Sequence, residues 1–179
     1  MVYQKNVVDG GEIDCVDRWN LISPELPDRG VLFDVGSAEG FFCKSALEQT
    51  NLFVISLEKS KECIEIQKSW AKKYKNRLII SQCSLSKKNV KELILLNVDV
   101  VLLLNTLHWF KDPDFMLKNL FMISKKIIVE IPEPSKRSPH GKKIREITGG
   151  NIKKYLKKIT GKPVKCLGKT KGRLSDYRR

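Results

Sequence analysis

Asp34, Gly36, Gly40 and Glu58 are the residues whose types and spacing could hold a nucleotide-like ligand. The run Val31-Leu32-Phe33 is apolar, β-branched and aromatic, as a strand buried on both faces of a parallel sheet requires. Asp34 stands at its carboxyl end, in the stretch Asp34-Val35-Gly36-Ser37-Ala38-Glu39-Gly40. The two glycines carry no Cβ, so the chain can turn tightly there and a ligand can come close. Helical amides beginning near Glu39 would face that ligand. Glu58 follows the next strand-like run, Leu52 to Leu57, and lies 22 residues beyond Gly36. In a strand-helix-strand unit, an acid about 20 residues past the glycine turn accepts hydrogen bonds from ribose hydroxyls. The alternative for Glu58 is a carboxylate at the start of the following helix, stabilised by the dipole. The alternative for the turn is a plain structural connection.

The spacing excludes two better-known nucleotide sites. It is not G-x-G-x-x-G, and Gly40 is followed by Phe41-Phe42 where a P-loop has Lys and Ser or Thr. NAD and nucleoside triphosphates are therefore disfavoured.

The elements that must position these residues alternate along the chain. Asp14 to Ile22 reads as a leading helix, with Val16, Trp19 and Ile22 spaced by three and Pro24 beyond its end. Helices are predicted at Glu39–Glu48 and Lys61–Tyr74, the latter with Cys63, Ile66 and Trp70 on one face. Strands are predicted at Arg77–Ser81, Asp99–Leu104 and Lys126–Ile131. Between the last two, Asp112 caps a helix with Pro113 at its first position and Leu117, Leu120 and Phe121 toward the sheet. Strand and helix in alternation predict an α/β fold, a Rossmann-like doubly wound, mostly parallel sheet with helices on both faces. Ligands in such sheets bind outside the carboxyl ends of the strands, where Asp34, Glu58, Cys83, Ser84, Asn105 and Glu130 converge.

Asp34, Gly36, Gly40 and Glu58 together resemble the first motifs of the class I S-adenosylmethionine-dependent methyltransferases, with Ala38 where the family has its middle glycine. Leu104-Asn105-Thr106-Leu107-His108-Trp109-Phe110 is similar to the family's segment after the fourth strand. The resemblance runs from about Val31 to Glu133. It implies methyl transfer from S-adenosylmethionine, with Asp34, Gly36, Ser37, Ala38, Gly40, Glu58, Cys83, Ser84 and Asn105 binding the cofactor. The Gln82-Cys83-Ser84 loop lacks the acid that many members use on the adenine amine and offers amide, thiol, hydroxyl and backbone groups instead. His108 is the candidate catalytic base; its alternative is a packing residue beside Trp109 that floors the pocket. The family's sheet ends in a hairpin of two more strands. Val164 to Leu167 could be the sixth, whereas Gly168 to Arg179 has no apolar run for a seventh, so the last strand is expected to be absent and an edge left for a dimer partner or the tail.

Composition and charge bound the rest. A single domain is expected in 179 residues: a helical lead-in at 1–30, a cofactor-binding core at 31–135, and a basic helix and tail at 136–179 that complete the same domain. Five scattered cysteines with no C-x-x-C pair and only two histidines, His108 and His140, predict no metal site and reduced thiols. No stretch is long and apolar enough for a membrane helix and no signal-peptide pattern opens the chain, so a cytoplasmic protein is expected. The entire net charge of +14 resides in residues 136–179, which carry 16 Lys and Arg against Glu146 and Asp176. There Asn151 caps a helix with Ile152, Tyr155, Leu156 and Ile159 on one side, four lysines around it and Gly161 at its end. Such a region suits RNA or a phosphorylated acceptor, or is simply a solvated lysine face. Three readings follow: a methyltransferase acting on RNA, a phosphorylated molecule or another small molecule; a catalytically silent module that binds nucleic acid; and a different nucleotide-binding protein such as a dehydrogenase fragment.

Overall fold

The computed structural model describes residues 4, 7, 15–93, 96–134 and 138–170. Helix α1 (Val16–Ile22) leads into β1 (Arg29–Val35), α2 (Phe41–Gln49), β2 (Asn51–Glu58), α3 (Lys61–Ala71) and β3 (Leu78–Gln82). A short α4 (Asn89–Glu92) precedes β4 (Val98–Leu104), α5 (Pro113–Ile123) and β5 (Ser124–Glu130), and the chain closes with α6 (Pro139–Thr148) and α7 (Ile152–Thr160). The five strands form one sheet in the order β3-β2-β1-β4-β5, and every pairing is parallel. The Rossmann-like sheet expected from the alternating pattern is present.

Strand periodicity sorts the core into two layers. In β4, Val100, Leu102 and Leu104 point to the side covered by α1 and α2, where Trp19, Phe42 and Leu47 pack. Val101 and Leu103 point to the opposite side, onto Leu117 and Leu120 of α5, Ile144 of α6 and Tyr155 of α7. Alternation of this kind, apolar on both faces, is what a sheet sandwiched between helices demands. In β1 the same alternation puts Leu32 on the α1/α2 side and Phe33 and Val35 on the other. Asp34 therefore shares a face with Leu32.

Helix ends follow local chemistry. Asp112 accepts a hydrogen bond from the Phe115 amide at 3.0 Å with Pro113 at the first position, and Asn151 accepts from the Lys154 amide at 2.9 Å. Ser60 caps α3 through the Cys63 amide, and Gly149 and Gly161 end α6 and α7 in the left-handed region. The stretch before α7 forms the ten-residue α6, capped by Ser138 through the Gly141 amide. No helix among the described residues is long and apolar enough to cross a membrane.

Residues 164–167 do not make a sixth strand. They carry no strand pairing. Pro163 removes a ladder donor just before them, Leu167 packs into the α1/α2-side core, and Lys165 reaches Glu25 at 2.6 Å. Among the described residues both of the family's last strands are absent, and β5 pairs only with β4.

Candidate functional site

The strand order reverses at β1, whose neighbours β2 and β4 run on through the chain in opposite directions. Connections leave to opposite sides there, and it is at the carboxyl ends of the strands beside such a point that open parallel sheets bind ligands. Backbone bonds extend each strand into its loop: the Gly36 and Ser37 amides donate to the Leu57 carbonyl, the Cys83 amide to Glu58, and the Asn105 amide to Glu130. The expected residues thus share one rim.

The turn after β1 is held from behind. Ser37 Oγ lies 2.7 Å from Ser56 Oγ, Ser56 Oγ donates to Gln67 Oε1 at 2.6 Å, and Gln67 Nε2 donates to Ser37 Oγ at 2.9 Å and to the Ala38 carbonyl at 2.6 Å. Every donor in that closed ring finds an acceptor, so the loop is locked to β2 and α3. Ala38 takes φ 52° within it, a conformation that favours glycine. Gly36 has φ 76°, and a Cβ there would meet Thr106 Cγ2 at 2.5 Å. Gly40, at φ 84°, leaves no room for a Cβ against Trp70 and Gln67. Helix α2 starts at Phe41, two residues later than expected, and the Phe41 amide is already taken by Gln4 Oε1 at 2.9 Å. In return the Gln4 amide donates to Glu39 Oε2 at 3.1 Å. That helix start therefore faces protein, not an open ligand site.

Glu58 is buried at the carboxyl end of β2. Its Oε2 accepts from the Ala38 amide at 2.9 Å, and its Oε1 accepts from the Lys59 and Ser60 amides at 2.7 and 2.8 Å. It ties the α3 entry, as the helix-start alternative expects, and it also braces the β1 turn. A carboxylate offers about four acceptor positions, so one remains on Oε2. Cys83 and Ser84 follow β3 beside it, with Asn89 Nδ2 donating to Cys83 Sγ at 3.1 Å and to the Ser84 carbonyl at 2.9 Å.

Asp34 departs from its expected role as a direct ligand. It is 2% exposed on the α1/α2 face and accepts from the Cys43 thiol at 3.3 Å. Burial lifts its pKa to about 7, against the opposing pull of the Cys43 hydrogen bond and the Arg18 charge. Cys43, also buried, is pushed well up and stays a thiol donor. Arg18 pairs with Glu130, which also accepts from Asn105 Nδ2 at 2.8 Å. Glu130 thus pairs with an arginine from α1. Asn105 holds φ 58°, a strained value for a residue other than glycine.

His108 lies in the turn after β4 and is 3% exposed. Burial, aided by the nearby His140 and Lys143 charges, lowers its pKa to about 4, so it is neutral at pH 7. Its ring centroid is 5.0 Å from that of Trp109 and 4.7 Å from that of His140. Four buried polar side-chain atoms lack a hydrogen-bond partner among the described residues: Arg18 Nε, Asn105 Oδ1, Thr106 Oγ1 and His108 Nδ1. Three of the four belong to one turn. Sequence reasoning missed Arg18, Gln67 and His140; the first two act across 11 to 112 positions with no local signature, and His140 could be reached only through its scarcity.

Residues 33–126 match the family model of the methyltransferase domain. No curated protein matches the chain. Among solved structures, WbdD in complex with a kinase inhibitor aligns at 17% identity and a TM-score of 0.67, over 81% of this chain and 38% of that one. A structure assigned as an S-adenosylmethionine-dependent methyltransferase from Listeria monocytogenes aligns at 20% identity and 0.55, over 68% and 57%. The N-terminal domain of EvdMO1 with SAH bound aligns at 17% and 0.59, over 70% and 52%. The chain thus spans less than two thirds of the length of each of these structures, and at such identities they speak to the fold. With the family model covering more than half of it, the chain belongs to the class I S-adenosylmethionine-dependent methyltransferases.

Proposed function

We propose that this protein is an active methyltransferase whose crevice between β1, β2 and β4 holds S-adenosylmethionine and presents it to a phosphate-bearing acceptor, either RNA or a small phosphorylated molecule. The observation that carries the reading is the clustering of Asn105 Oδ1, Thr106 Oγ1 and His108 Nδ1, buried and unpartnered among the described residues, in the single turn that closes the crevice. Folded proteins leave few such atoms, and each costs about 1–3 kcal/mol unless something satisfies it. A polar ligand in the crevice does so.

The residues present fit the donor. Glu58 keeps one acceptor position for a ribose hydroxyl, and Cys83 and Ser84 offer thiol, hydroxyl and backbone groups to the adenine. Gly36, Ser37, Ala38 and Gly40 form the wall along the β1 turn, held rigid by Gln67. Asn105 Oδ1 is an acceptor for the donor's ammonium group, and Asp34 supports that wall from behind.

When bound, S-adenosylmethionine would supply an activated methyl carbon, with its sulfur leaving as a neutral thioether when that carbon is transferred to the acceptor's lone pair. The protein's part is orientation, which carries much of the rate of such a displacement. Neutral His108 accepts the proton released by the acceptor or holds its nucleophilic atom by a hydrogen bond. The cationic 136–179 region supports the choice of an anionic acceptor.

Transfer of radiolabelled methyl from S-adenosylmethionine onto total RNA and onto a metabolite extract, run in parallel, tests this. Label is expected in the RNA or in the phosphorylated fraction of the extract. Label confined to uncharged metabolites would remove the phosphate preference, and label in neither would remove the activity.

A further inference from the structure

Large apolar side chains exposed among the described residues include Trp109, which is 61% exposed and lies just beyond the carboxyl end of β4. It ends the tight turn Leu107–Trp109 that follows β4. The His140 ring meets it edge-on, with centroids 5.2 Å apart and planes at 61°, and Lys59 Nζ stands 5.6 Å from its centroid. Lys59 directly follows Glu58, so the ring cluster adjoins the ribose end of the proposed donor site. Beneath Trp109 lies His108, whose Nδ1 is buried without a partner; a ring nitrogen sits close to its own centroid, so that atom lies within the cluster. Thr106 Oγ1, unpartnered in the same way, belongs to the same turn.

The charges that act on His108 in this cluster are positive. His140 and Lys143, both on the first turns of α6, act on His108, and the amino end of α6 adds its own partial positive charge. Exposed cations then continue along α6 as Lys142, Lys143 and Arg145, and along α7 as Lys153, Lys154, Lys157 and Lys158. Tyr155 fixes α7 to α5 by donating to Asp114 at 2.6 Å, so this cationic surface is anchored to the core that carries the crevice.

We propose that the Trp109–His140–Lys59 cluster is the acceptor subsite and that it takes a nucleotide within single-stranded RNA, with the base stacked on Trp109, the adjoining phosphate at Lys59 and Lys143, and the flanking backbone on the lysines of α6 and α7. This rests on reading the crevice as the donor site. An exposed indole beside a buried polar group suits a flat, sequence-tolerant partner, because every base offers a π-face. The extent of the cationic surface selects RNA over a free nucleotide, since one nucleotide could engage only the lysines nearest Trp109.

The test is binding of a labelled single-stranded RNA to the full chain in the presence of S-adenosylhomocysteine, read by fluorescence anisotropy at two salt concentrations. Calorimetric titration of S-adenosylhomocysteine runs alongside. Trp109→Ala is expected to weaken RNA binding by about 10-fold, Trp109→Phe to restore most of it, and neither to change S-adenosylhomocysteine affinity. Lys153→Gln with Lys157→Gln is expected to flatten the salt dependence while leaving the Trp109 effect in place. RNA affinity equal in wild type and Trp109→Ala would overturn the subsite, as would a free nucleoside monophosphate binding as tightly as the RNA. If wild type fails to bind S-adenosylhomocysteine, the donor reading itself falls. If it binds while RNA affinity ignores Trp109, only the acceptor inference falls.

Discussion

Glu58 Oε2 accepts a hydrogen bond from the Ala38 amide at 2.9 Å, joining the end of β2 to the turn after β1. The carboxylate that spacing alone assigns to a ribose is therefore also a brace for the glycine turn. Through its other oxygen it holds the Lys59 and Ser60 amides, so its loss strips three amides of an acceptor. Glu58→Ala is expected to lower S-adenosylmethionine affinity at least about 10-fold and to destabilise the fold by about 1–3 kcal/mol. Calorimetry and urea unfolding measure the two effects separately. Unchanged affinity with lowered stability would leave Glu58 a brace alone.

Ala38 occupies the family's middle-glycine position at φ 52°. A Cβ in the left-handed region costs about 1 kcal/mol or more, which glycine avoids. Ala38→Gly is therefore expected to raise stability by about 1 kcal/mol, less what glycine's freer unfolded chain takes back. A higher urea midpoint at an unchanged slope would show it.

Asp34 is more stable in the protonated form within the fold, because burial carries its pKa from the ordinary 3.8 to about 7. The folded state then binds the extra proton between those values. The stabilisation is complete below about pH 4 and is lost as pH rises toward 7. Asp34→Asn removes this dependence. The variant should equal wild type near pH 4 and exceed it at pH 8, by about 4 kcal/mol as an upper bound. Thermal midpoints measured at the two pH values decide it; a variant that is less stable at pH 8 would refute the buried acid.

How far these features could be seen in the sequence depends on whether their causes are local. The five strands of the sheet, the Asp112-Pro113 and Asn151 caps and the Gly161 stop follow from neighbours within four residues, and all are present. Val164 to Leu167 looked like a strand by its two apolar side chains, but a strand also needs a partner. Here Leu167 finds burial on the α1/α2 side and Lys165 finds Glu25 instead. Likewise Asp34 belongs to the right motif, yet the period-2 alternation of β1 turns it away from the crevice toward Cys43. The Arg18–Glu130–Asn105 chain joins α1, β5 and the turn after β4 and leaves no pattern in any one segment.

His108 has its pKa lowered to about 4, chiefly by burial. The neutral form is favoured in the fold, so its contribution to stability is present above about pH 6.5 and is lost as pH falls toward 4. Methyl transfer should accordingly show no loss from this group between pH 8 and about 5. His108→Gln is expected to lower kcat by about 100-fold with little change in acceptor KM if the imidazole handles the proton. Activity within a few-fold of wild type would return His108 to the alternative, a packing residue beneath Trp109.

The central claim is that the crevice between β1, β2 and β4 binds S-adenosylmethionine. Its most direct test is isothermal titration of S-adenosylmethionine into wild type and into Gly36→Arg. Any side chain at that position is strained at φ 76° and has its Cβ at Thr106 Cγ2. Saturable one-to-one binding by wild type, abolished in a Gly36→Arg variant that keeps its far-ultraviolet circular dichroism, is the predicted result. No heat with wild type, or equal binding by both proteins, would contradict it.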